Sequence, residues 1–296
     1  MKKKLVTGAL LLAFGATAVT GGTLAYFTDA DADRNVMTVG NVYIVQNETD
    51  RFGDAYEDEQ ALLPAVYLKD IDNDGKYETP YNPATTWEGP GGYDSDKSKW
   101  MTGEMKNTTG EGTIKIYDDN INNEIDKVIS VTNKGTMPAY IRTILLFENT
   151  PDNAVCDLLH VAYNNDDGQG FVWLTNDNGA EVQVEIADNA NPDEKTTYSI
   201  AICTYNTALG AGKTSAPSLQ QIWLDPSADN EWYDLLGEDG RYSILAFSQA
   251  VQTEGFTSAN EALNTAFGEV TDANVLKWLA ETPVKTTDFA NVVGGN

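Results

Sequence analysis

Ten segments of the chain show the hydrophobic pattern of β-strands, which is either apolar and polar residues in alternation or a short apolar run between turn residues. Regular helices do not separate these segments, which favours antiparallel pairing over a parallel sheet. We therefore predict an all-β fold, an antiparallel jelly-roll β-sandwich with a few short connecting helices and a long loop insertion. The predicted strands are Val36–Gln46, Ala61–Leu68, Thr113–Tyr117, Ile125–Thr132, Ala139–Phe147, Gly170–Leu174, Glu181–Ala187, Tyr198–Tyr205, Leu219–Leu224 and Tyr242–Val251.

One helix is well marked near the end of the chain. Ser258 and Glu261 have the spacing of a capping box, and the apolar residues from Ala259 to Phe267 form one stripe. Gly268 follows at the position of a C-terminal cap. The sequence therefore predicts a helix that begins after Ser258 and ends before Gly268.

Two shorter helices are predicted from N-cap residues that precede proline. Thr150-Pro151 and Asp225-Pro226 are such pairs, because proline is favoured at the first helical position. We expect the helices over residues 152–160 and 227–236 to connect strands.

The predicted sandwich spans residues 36–291 and contains a long insertion. Between residues 70 and 112 the composition changes to Gly, Pro, Asp, Thr and Lys, which is typical of a surface loop. We therefore expect one domain with a surface insertion over residues 70–112.

Residues 1–25 have the layout of a secretory signal peptide. Lysines at positions 2 to 4 precede an uncharged run, and a stretch of small residues ends at Ala25. We predict cleavage after Ala25, which makes Tyr26 the new N-terminus. The alternative is an uncleaved membrane anchor, because Leu5–Phe27 carries no charge and is long enough to span a bilayer.

The chain is strongly acidic, with 45 Asp and Glu residues against 19 Lys and Arg and a net charge of −26. Binding to nucleic acid or to an anionic membrane surface needs clustered Lys and Arg, and the one such cluster lies in the leader. We therefore expect no nucleic-acid partner, and membrane contact only before signal cleavage. With 41% hydrophobic residues the chain can still bury a core.

Cys156 and Cys203 are the two cysteines of the chain. Export permits a disulfide between them, which would stabilise the fold by roughly 4 kcal/mol in the entropic model. The alternative is two thiols that pack as small hydrophobic side chains, since Cys156 lies in an apolar run and Cys203 in a predicted strand.

The inventory of residues argues against an enzyme. His160 is the single histidine, so a zinc site with several histidine ligands is excluded. A catalytic triad would have this one residue as its only histidine base. We interpret His160 as a structural or surface residue. The stretch Gly210–Thr214 resembles a phosphate-binding loop, but Thr207 stands where that motif needs its first glycine, so we interpret it as a turn.

A candidate calcium loop occupies residues 70–78. Carboxylates alternate at its first, third and fifth positions and Gly75 permits a sharp turn, which is the pattern of an oxygen-ligand site for Ca²⁺. An EF-hand would need Glu at the twelfth position, where Tyr81 stands. The alternative is an acidic solvated turn. The candidate ligands are Asp70, Asp72, Asp74, Lys76 through its carbonyl, and Glu78.

Asp29, Asp31 and Asp33 alternate along the segment after the predicted cleavage site. In a strand all three would lie on one face and repel each other. The spacing therefore favours an exposed extended segment that a cation or a partner neutralises.

Five stretches of the chain form an ordered set that is spread over most of the mature chain. They are Gly21–Asp29, Met37–Val42, Val131–Arg142, Tyr205–Thr214 and Ala250–Phe256, the last running into Ala259 and Ala262. In this specific order, the stretches resemble the TasA and camelysin family of exported Gram-positive proteins.

The resemblance implies a secreted subunit of biofilm-matrix fibres, located in the extracellular matrix or at the cell surface of a Gram-positive bacterium. It implies a jelly-roll sandwich that a SipW-type signal peptidase releases and that assembles with copies of itself into a head-to-tail homopolymer. The N-terminal segment of one subunit would complete the sheet of the next, with residues 26–35 as the donor strand and Tyr26 and Phe27 as its anchors. Camelysin-like members are labelled metalloendopeptidases, but a chain with one histidine and no zinc motif departs from that label. We therefore expect no enzymatic activity.

The residues leave two other function classes open. A monomeric cell-surface adhesin or binding module would use Trp87, Tyr93 and Trp100 of the insertion to contact carbohydrate or protein. A hydrolase with paired carboxylates is the more remote alternative.

Overall fold

The structure is a computed structural model. It describes residues 28–29, 36–39, 42–50, 61–69, 79–81, 101–106, 113–117, 121–163, 169–187, 194–236, 241–281 and 286–290. The strands are β1 (Thr28–Asp29), β2 (Val36–Val39), β3 (Ile44–Thr49), β4 (Val66–Lys69), β5 (Thr79–Tyr81), β6 (Met101–Lys106), β7 (Thr113–Tyr117), β8 (Ile121–Asn122), β9 (Ile125–Asn133), β10 (Ala139–Asn149), β11 (Leu159–Ala162), β12 (Gln169–Trp173), β13 (Gln183–Ala187), β14 (Lys195–Tyr205), β15 (Leu219–Leu224), β16 (Arg241–Gln252) and β17 (Thr286–Ala290). The helices are α1 (Asn230–Tyr233), α2 (Ala259–Phe267) and α3 (Asp272–Glu281).

Two main sheets form the body of the protein. Sheet A has the strand order β1-β2-β16-β10-β14-β12, with β13 also paired to β14 and β17 also paired to β16. Sheet B has the order β11-β15-β9-β3. All of these pairs are antiparallel except the pair of β2 with β16. The prediction of an all-β fold with few short helices is therefore confirmed.

The core lies between the two sheets, and a second apolar layer lies between sheet A and the helices. Ile141 and Leu145 of β10 pack in the core with Ile129 and Ile222 of sheet B. Ile144 and Leu146 point the other way and pack with Val275 and Trp278 of α3. Both faces of β10 are therefore buried, which explains why its sequence is an almost continuous apolar run.

The strand predictions agree closely with the buried strands, but Ala61–Leu68 is too long, because β4 begins only at Val66, and β11 was not predicted. Leu219–Leu224 and Thr113–Tyr117 have the observed bounds exactly as strands β15 and β7. The predicted single strand Val36–Gln46 is wrong, because β2 belongs to sheet A and β3 to sheet B. The chain crosses from one sheet to the other between these two strands.

The helix at Ser258 is confirmed. Ser258 Oγ accepts a hydrogen bond from Glu261 N at 3.2 Å, and Glu261 Oε2 accepts one from Thr257 N at 2.9 Å. Gly268 caps the helix with a φ of 94°, a conformation that residues with a Cβ rarely adopt.

The two connecting helices are shorter than predicted. Thr150 Oγ1 accepts a hydrogen bond from Ala154 N, but a single 3-10 turn, Cys156–Leu158, follows, and Leu159 then begins β11. In the second segment the cap is Asp229, and α1 has only four residues. Residues 152–160 and 227–236 are therefore mostly turns.

Two described strands fall within the predicted insertion. β5 pairs with β4, which also pairs with β8, and β6 pairs with β7. These small ladders lie outside the two main sheets, and the other residues of 70–112 lie outside the described part of the chain.

Candidate functional site at the β16 edge and the loop end

The outer edge of β16 is shared by strands from both ends of the chain. β10 occupies the inner edge of β16 over Phe147 to Ala139. On the outer edge, β17 pairs antiparallel with Arg241–Leu245 and β2 pairs parallel with Ser248–Val251. This edge is therefore completed by segments that lie far from β16 in sequence.

The two described residues of the predicted donor segment lie one strand further out, beside β2. Thr28 lies opposite Val39, and Asp29 lies opposite Thr38, so β1 forms the outermost strand beside β2. The sequence predicts an extended segment here, and its two described residues are extended but paired within their own chain. The rest of residues 26–35, including Tyr26, Phe27, Asp31 and Asp33, lies outside the described part.

Gln46 of β3 closes the gap between β17 and β2 on the β16 edge. Its Nε2 donates to Ala246 O at 3.2 Å, and its Oε1 accepts from Ser248 Oγ at 2.7 Å. Ser248 Oγ also lies 3.0 Å from Thr143 Oγ1 on β10. A β16 carbonyl in the gap between β17 and β2 thus accepts a hydrogen bond from a side chain of the opposite sheet.

A buried ion pair lies beside Gln46. Lys127 Nζ contacts Glu48 Oε2, and Gln46 Nε2 donates to Glu48 Oε1 at 3.1 Å. The Lys127 side chain is only 1% exposed. Removing one partner would leave an uncompensated buried charge, so this pair fixes β3 against β9.

One end of the sandwich, which we call the loop end, brings together residues 37–39, 131–142, 205–214 and 250–256. The C-terminal ends of β2, β9, β14 and β16 and the N-terminal end of β10 lie there, as their registers show. The loop end contains the loops 134–138, 206–218 and 253–257. Segments that are far apart in the sequence are therefore neighbours in space.

Asn133 is the centre of the hydrogen-bond network at the loop end. Its Nδ2 donates to Met137 O at 2.8 Å and to Leu209 O at 3.0 Å, and its Oδ1 accepts from Gly135 N at 2.9 Å. The residue is fully buried. All three bonds of this amide hold loops in place, because they go to backbone groups.

The loop after β14 joins the two sheets. Leu209 forms a bridge with Ala139 of sheet A, and Thr214 forms a bridge with Thr132 of sheet B. Gly212, with a φ of 73°, provides the turn between these bridges and donates its N–H to Asn133 O at 2.8 Å. The interpretation of Gly210–Thr214 as a turn is thus confirmed.

Arg142 fastens the helical layer to sheet A near the loop end. Its Nε donates to Gln249 Oε1 at 2.6 Å, its Nη1 to Asn264 Oδ1 at 2.8 Å and its Nη2 to Gly268 O at 2.9 Å. These three acceptors are neutral. Burial lowers the pKa of Arg142 to about 10, so the group is still charged at neutral pH.

His160 is a structural residue, as predicted. Its Nε2 lies 3.0 Å from Asp225 Oδ2, and its ring stacks on Trp223 with a centroid distance of 5.5 Å. The hydrogen bond with His160, followed by those with Ser227, lowers the pKa of Asp225 to about 2 against the opposing effect of burial. The pair fastens edge strand β11 to the turn after β15.

The cysteines are separate thiols, so the disulfide alternative is wrong and the alternative of two packed thiols holds. Cys156 Sγ lies 3.5 Å from Glu148 O, whereas Cys203 lies opposite Thr143 on β10. Five residues of strand separate these positions, a distance of about 16 Å, which is too far for a disulfide. Burial raises the pKa of the Cys156 thiol to about 12.

The remaining predicted sites fall on residues that the structure leaves undescribed. They are the cleavage site Ala25–Tyr26 and the calcium ligands Asp70, Asp72, Asp74, Lys76 and Glu78. Within the described ranges, no three or more His, Cys, Asp and Glu side chains are grouped so that they could hold a metal ion. The helices of those ranges are too short or too polar to span a membrane.

Sequence reasoning missed the three polar residues that organise this site, Gln46, Asn133 and Arg142. Arg142 carries a usable signal, because it is the one charged residue in the first part of an apolar strand. Asn133 and Gln46 carry none, since their roles depend on contacts between distant segments. No protein-family model matches the chain, and no curated protein is significantly similar to it.

Proposed function

We propose that this protein is a secreted structural subunit that polymerises head to tail into extracellular fibres of a biofilm matrix by exchange of its N-terminal strand. The observation that carries the proposal is the position of β1, because the N-terminal residues Thr28 and Asp29 lie as the outermost strand of sheet A. An edge strand at a chain terminus can leave its own sheet and pair with another copy without any change in the rest of the fold.

Releasing β1 from its own sheet costs little free energy. Its described ladder has two residue pairs, so releasing it breaks few hydrogen bonds, each of which stabilises by about 1 kcal/mol net. The same bonds form again when the strand pairs with another copy. Exchange therefore depends on the additional contacts that the second copy offers.

The charges at the two ends of the sandwich favour a head-to-tail order. Lys134 and Lys213 are exposed at the loop end, together with Glu254, whereas Glu231 and Asp234 are exposed at the opposite end. β10 separates the two ends by about 35 Å, several times the Debye length at physiological salt. Stacking unlike ends reduces the repulsion between mature copies, each of which carries a charge of −29 once Lys2, Lys3 and Lys4 have left with the leader.

Several parts of the proposal come from the sequence. The resemblance to the TasA and camelysin family supports the jelly-roll connectivity, the SipW-type signal peptidase and the location outside a Gram-positive cell. Cleavage after Ala25 would free the donor, which cannot reach another subunit while a leader holds it in the membrane. Ca²⁺ at residues 70–78 would be a structural ligand, and no enzymatic step is part of the function.

Electron microscopy of the mature protein, residues 26–296, tests the proposal. We expect fibres from this protein and none after deletion of residues 26–35. A synthetic peptide of residues 26–35 in excess should stop fibre growth by occupying the acceptor, whereas a scrambled peptide of the same composition should not. Thermal melts of both proteins show whether the deletion leaves the sandwich folded.

Two results would contradict the proposal. Fibres that persist after deletion of residues 26–35 would rule out exchange of this strand. A folded mature protein that forms no fibres at any salt or calcium concentration would favour the monomeric adhesin, whose candidate residues Trp87, Tyr93 and Trp100 lie outside the described part of the chain.

A further inference from the structure

We propose that Lys127 and Glu48 condense into an intramolecular amide bond, which joins strand β9 covalently to strand β3. The two side chains form the buried ion pair described above, and their contact is that of two reactants. The bond is a modification of the folded subunit, and it forms whether or not the subunit enters a fibre. The inference therefore does not depend on the proposed function.

The strand register places the two residues within bonding reach. β3 and β9 are antiparallel and Glu48 lies opposite Ile129, so Lys127 is the diagonal neighbour of Glu48 on the same face of sheet B. The Cα atoms of such diagonal neighbours are about 7–8 Å apart, a separation that long side chains span. Lys127 Nζ contacts Glu48 Oε2, so the nitrogen already lies beside the carboxyl group that it would attack.

Burial of the pair favours condensation. The Lys127 side chain is 1% exposed, so the ion pair carries a desolvation cost, whereas an amide has no charge. Glu48 is 18% exposed, which gives the released water a way to solvent. The folded sheet holds amine and carboxyl group together, so the reaction needs no encounter between separate molecules.

Gln46 supplies a hydrogen bond to the carboxyl group that reacts. Its Nε2 donates to Glu48 Oε1 at 3.1 Å, and this oxygen becomes the oxyanion when Nζ adds to Cδ. The Gln46 amide is itself held by Ala246 O at 3.2 Å and by Ser248 Oγ at 2.7 Å. Sheet A thus orients the donor before the reaction begins.

The condensation balances without a further reactant. One proton passes from the Lys127 ammonium to Glu48 Oε2, and the neutral amine then adds to Cδ. A second proton passes from Nζ to Oε2, the Cδ–Oε2 bond breaks, and water leaves. The new amide keeps Oε1 as its carbonyl oxygen, which still accepts the hydrogen bond from Gln46.

The bond would close residues 49–126 into a covalent loop that contains the insertion. A pull on the N-terminus would then pass from β3 directly to β9, and the insertion would carry no load. The bond would also remove conformations from the unfolded chain, as a disulfide does. A subunit whose cysteines are separate thiols would gain a covalent tie between two strands of its sandwich.

The intact mass of the folded mature protein, residues 26–296, tests the bond. We expect a mass about 18 Da below that of the sequence, which is the mass of one water. Lys127→Arg should have its full mass. Lys134→Arg changes an exposed lysine just after the same strand and should show the same loss as wild type. A wild-type mass equal to that of the sequence would overturn the inference.

Cleavage at methionine locates the bond. Cyanogen bromide produces fragment 38–101, which contains Glu48, and fragment 106–137, which contains Lys127. After denaturation and reduction, the two fragments of wild type should stay joined in one branched species, whereas those of Lys127→Arg should separate. Separate wild-type fragments, with the loss of water on another residue, would overturn the bond. The wild-type result decides by itself, so it stands even if Lys127→Arg does not fold.

A time course after a pulse of cell-free synthesis tests the role of Gln46. The cross-linked fraction of Gln46→Leu should rise at least roughly tenfold more slowly than that of wild type, because the oxyanion loses its donor. Asn47→Ala is the control, since Asn47 bonds Ser130 and Thr132 and not Glu48, and its rate should equal that of wild type. Equal rates for Gln46→Leu and wild type, with thermal melts that show both folded, would overturn the part assigned to Gln46. None of these results depends on whether fibres form, so failure of the proposed function is detected separately.

Discussion

The guanidinium carbon of Arg142 lies 5.3 Å from the centre of the Trp278 ring, so strand β10 and helix α3 meet through a cation and an aromatic face. The same side chain bonds Asn264 of α2 and the carbonyl of Gly268 after it. One buried side chain thus positions both helices on sheet A.

Arg142→Lys should lower the free energy of unfolding by about 2 kcal/mol, because an ammonium cannot reach three acceptors in different directions and leaves at least one unsatisfied. Urea denaturation measures the change. Lys277→Met on the exposed face of α3 is the control and should change stability by less than about 0.5 kcal/mol. Equal stability of Arg142→Lys and wild type would show that the network does not hold the helices.

Asn133→Asp should destabilise the loop end by about 3 kcal/mol at neutral pH. The carboxylate keeps the size of the amide but cannot donate to Met137 O and Leu209 O, so it faces two carbonyl oxygens. Denaturation and hydrogen exchange of the loops 134–138 and 209–214 measure the effect. Asn260→Asp, an exposed residue of α2 beside the loop 253–257, should have little effect. Unchanged exchange in both loops would contradict the role of Asn133.

The folded protein should contain two thiols and no disulfide. Reductant should therefore leave the midpoint of thermal unfolding unchanged. Iodoacetamide should modify neither cysteine in the folded state and both in urea, because Cys203 is buried and the raised pKa of Cys156 keeps that thiol protonated. Mass spectrometry counts the adducts, and a mass lower by two protons before reduction would show that a disulfide forms after all.

Asp225→Asn should lower the free energy of unfolding above about pH 4, where Asp225 is ionised, and much less near pH 2. The pKa of Asp225 in the folded state, about 2, lies below its value of about 3.9 in an unfolded chain. The ionised form therefore stabilises the fold fully above pH 4, and this contribution is lost as the pH falls towards 2. The difference in unfolding free energy between wild type and Asp225→Asn should be constant from pH 5 to 6 and shrink below pH 4. A difference that is unchanged at pH 2 would contradict the shifted pKa.

Calcium should raise the midpoint of thermal unfolding if residues 70–78 bind it, because a ligand that binds only the folded state stabilises that state. We expect an increase of about 3 °C or more with Ca²⁺ relative to a chelator, and a smaller one with Mg²⁺. Asp72→Ala should abolish the increase. Equal unfolding midpoints of wild type and Asp72→Ala with Ca²⁺ and with chelator would contradict calcium binding at residues 70–78.

Sequence patterns within a few residues predict the elements whose ends are set by neighbouring residues. The bounds of β15 follow from a short apolar run, and those of α2 from Ser258 and Gly268, since caps and periodicity act within a few residues. In contrast, Leu159–Ala162 is a strand although Thr150-Pro151 favours a helix before it, because pairing with β15 outweighs the local preference.

Sequence reasoning missed α3, although Thr271 stands before it as an ordinary N-cap. Thr271 Oγ1 accepts from Asn274 N, and Asp272 Oδ1 accepts from Ala273 N. The spacing of Val275, Trp278 and Leu279 carries the apolar stripe that could have identified it. At the site, the β16 edge was beyond prediction because its contacts join residues as far apart as Gln46 and Ala246, 200 positions away.

The same separation sets the order of events when the protein is made. Strand β2, near the start of the polypeptide, finds its partner β16 only after almost the whole chain has been synthesised, and pairings of such high contact order form late. β2 therefore cannot take its place in sheet A until residues 248–251 are available, so this edge of the sheet is among the last parts of the fold to form.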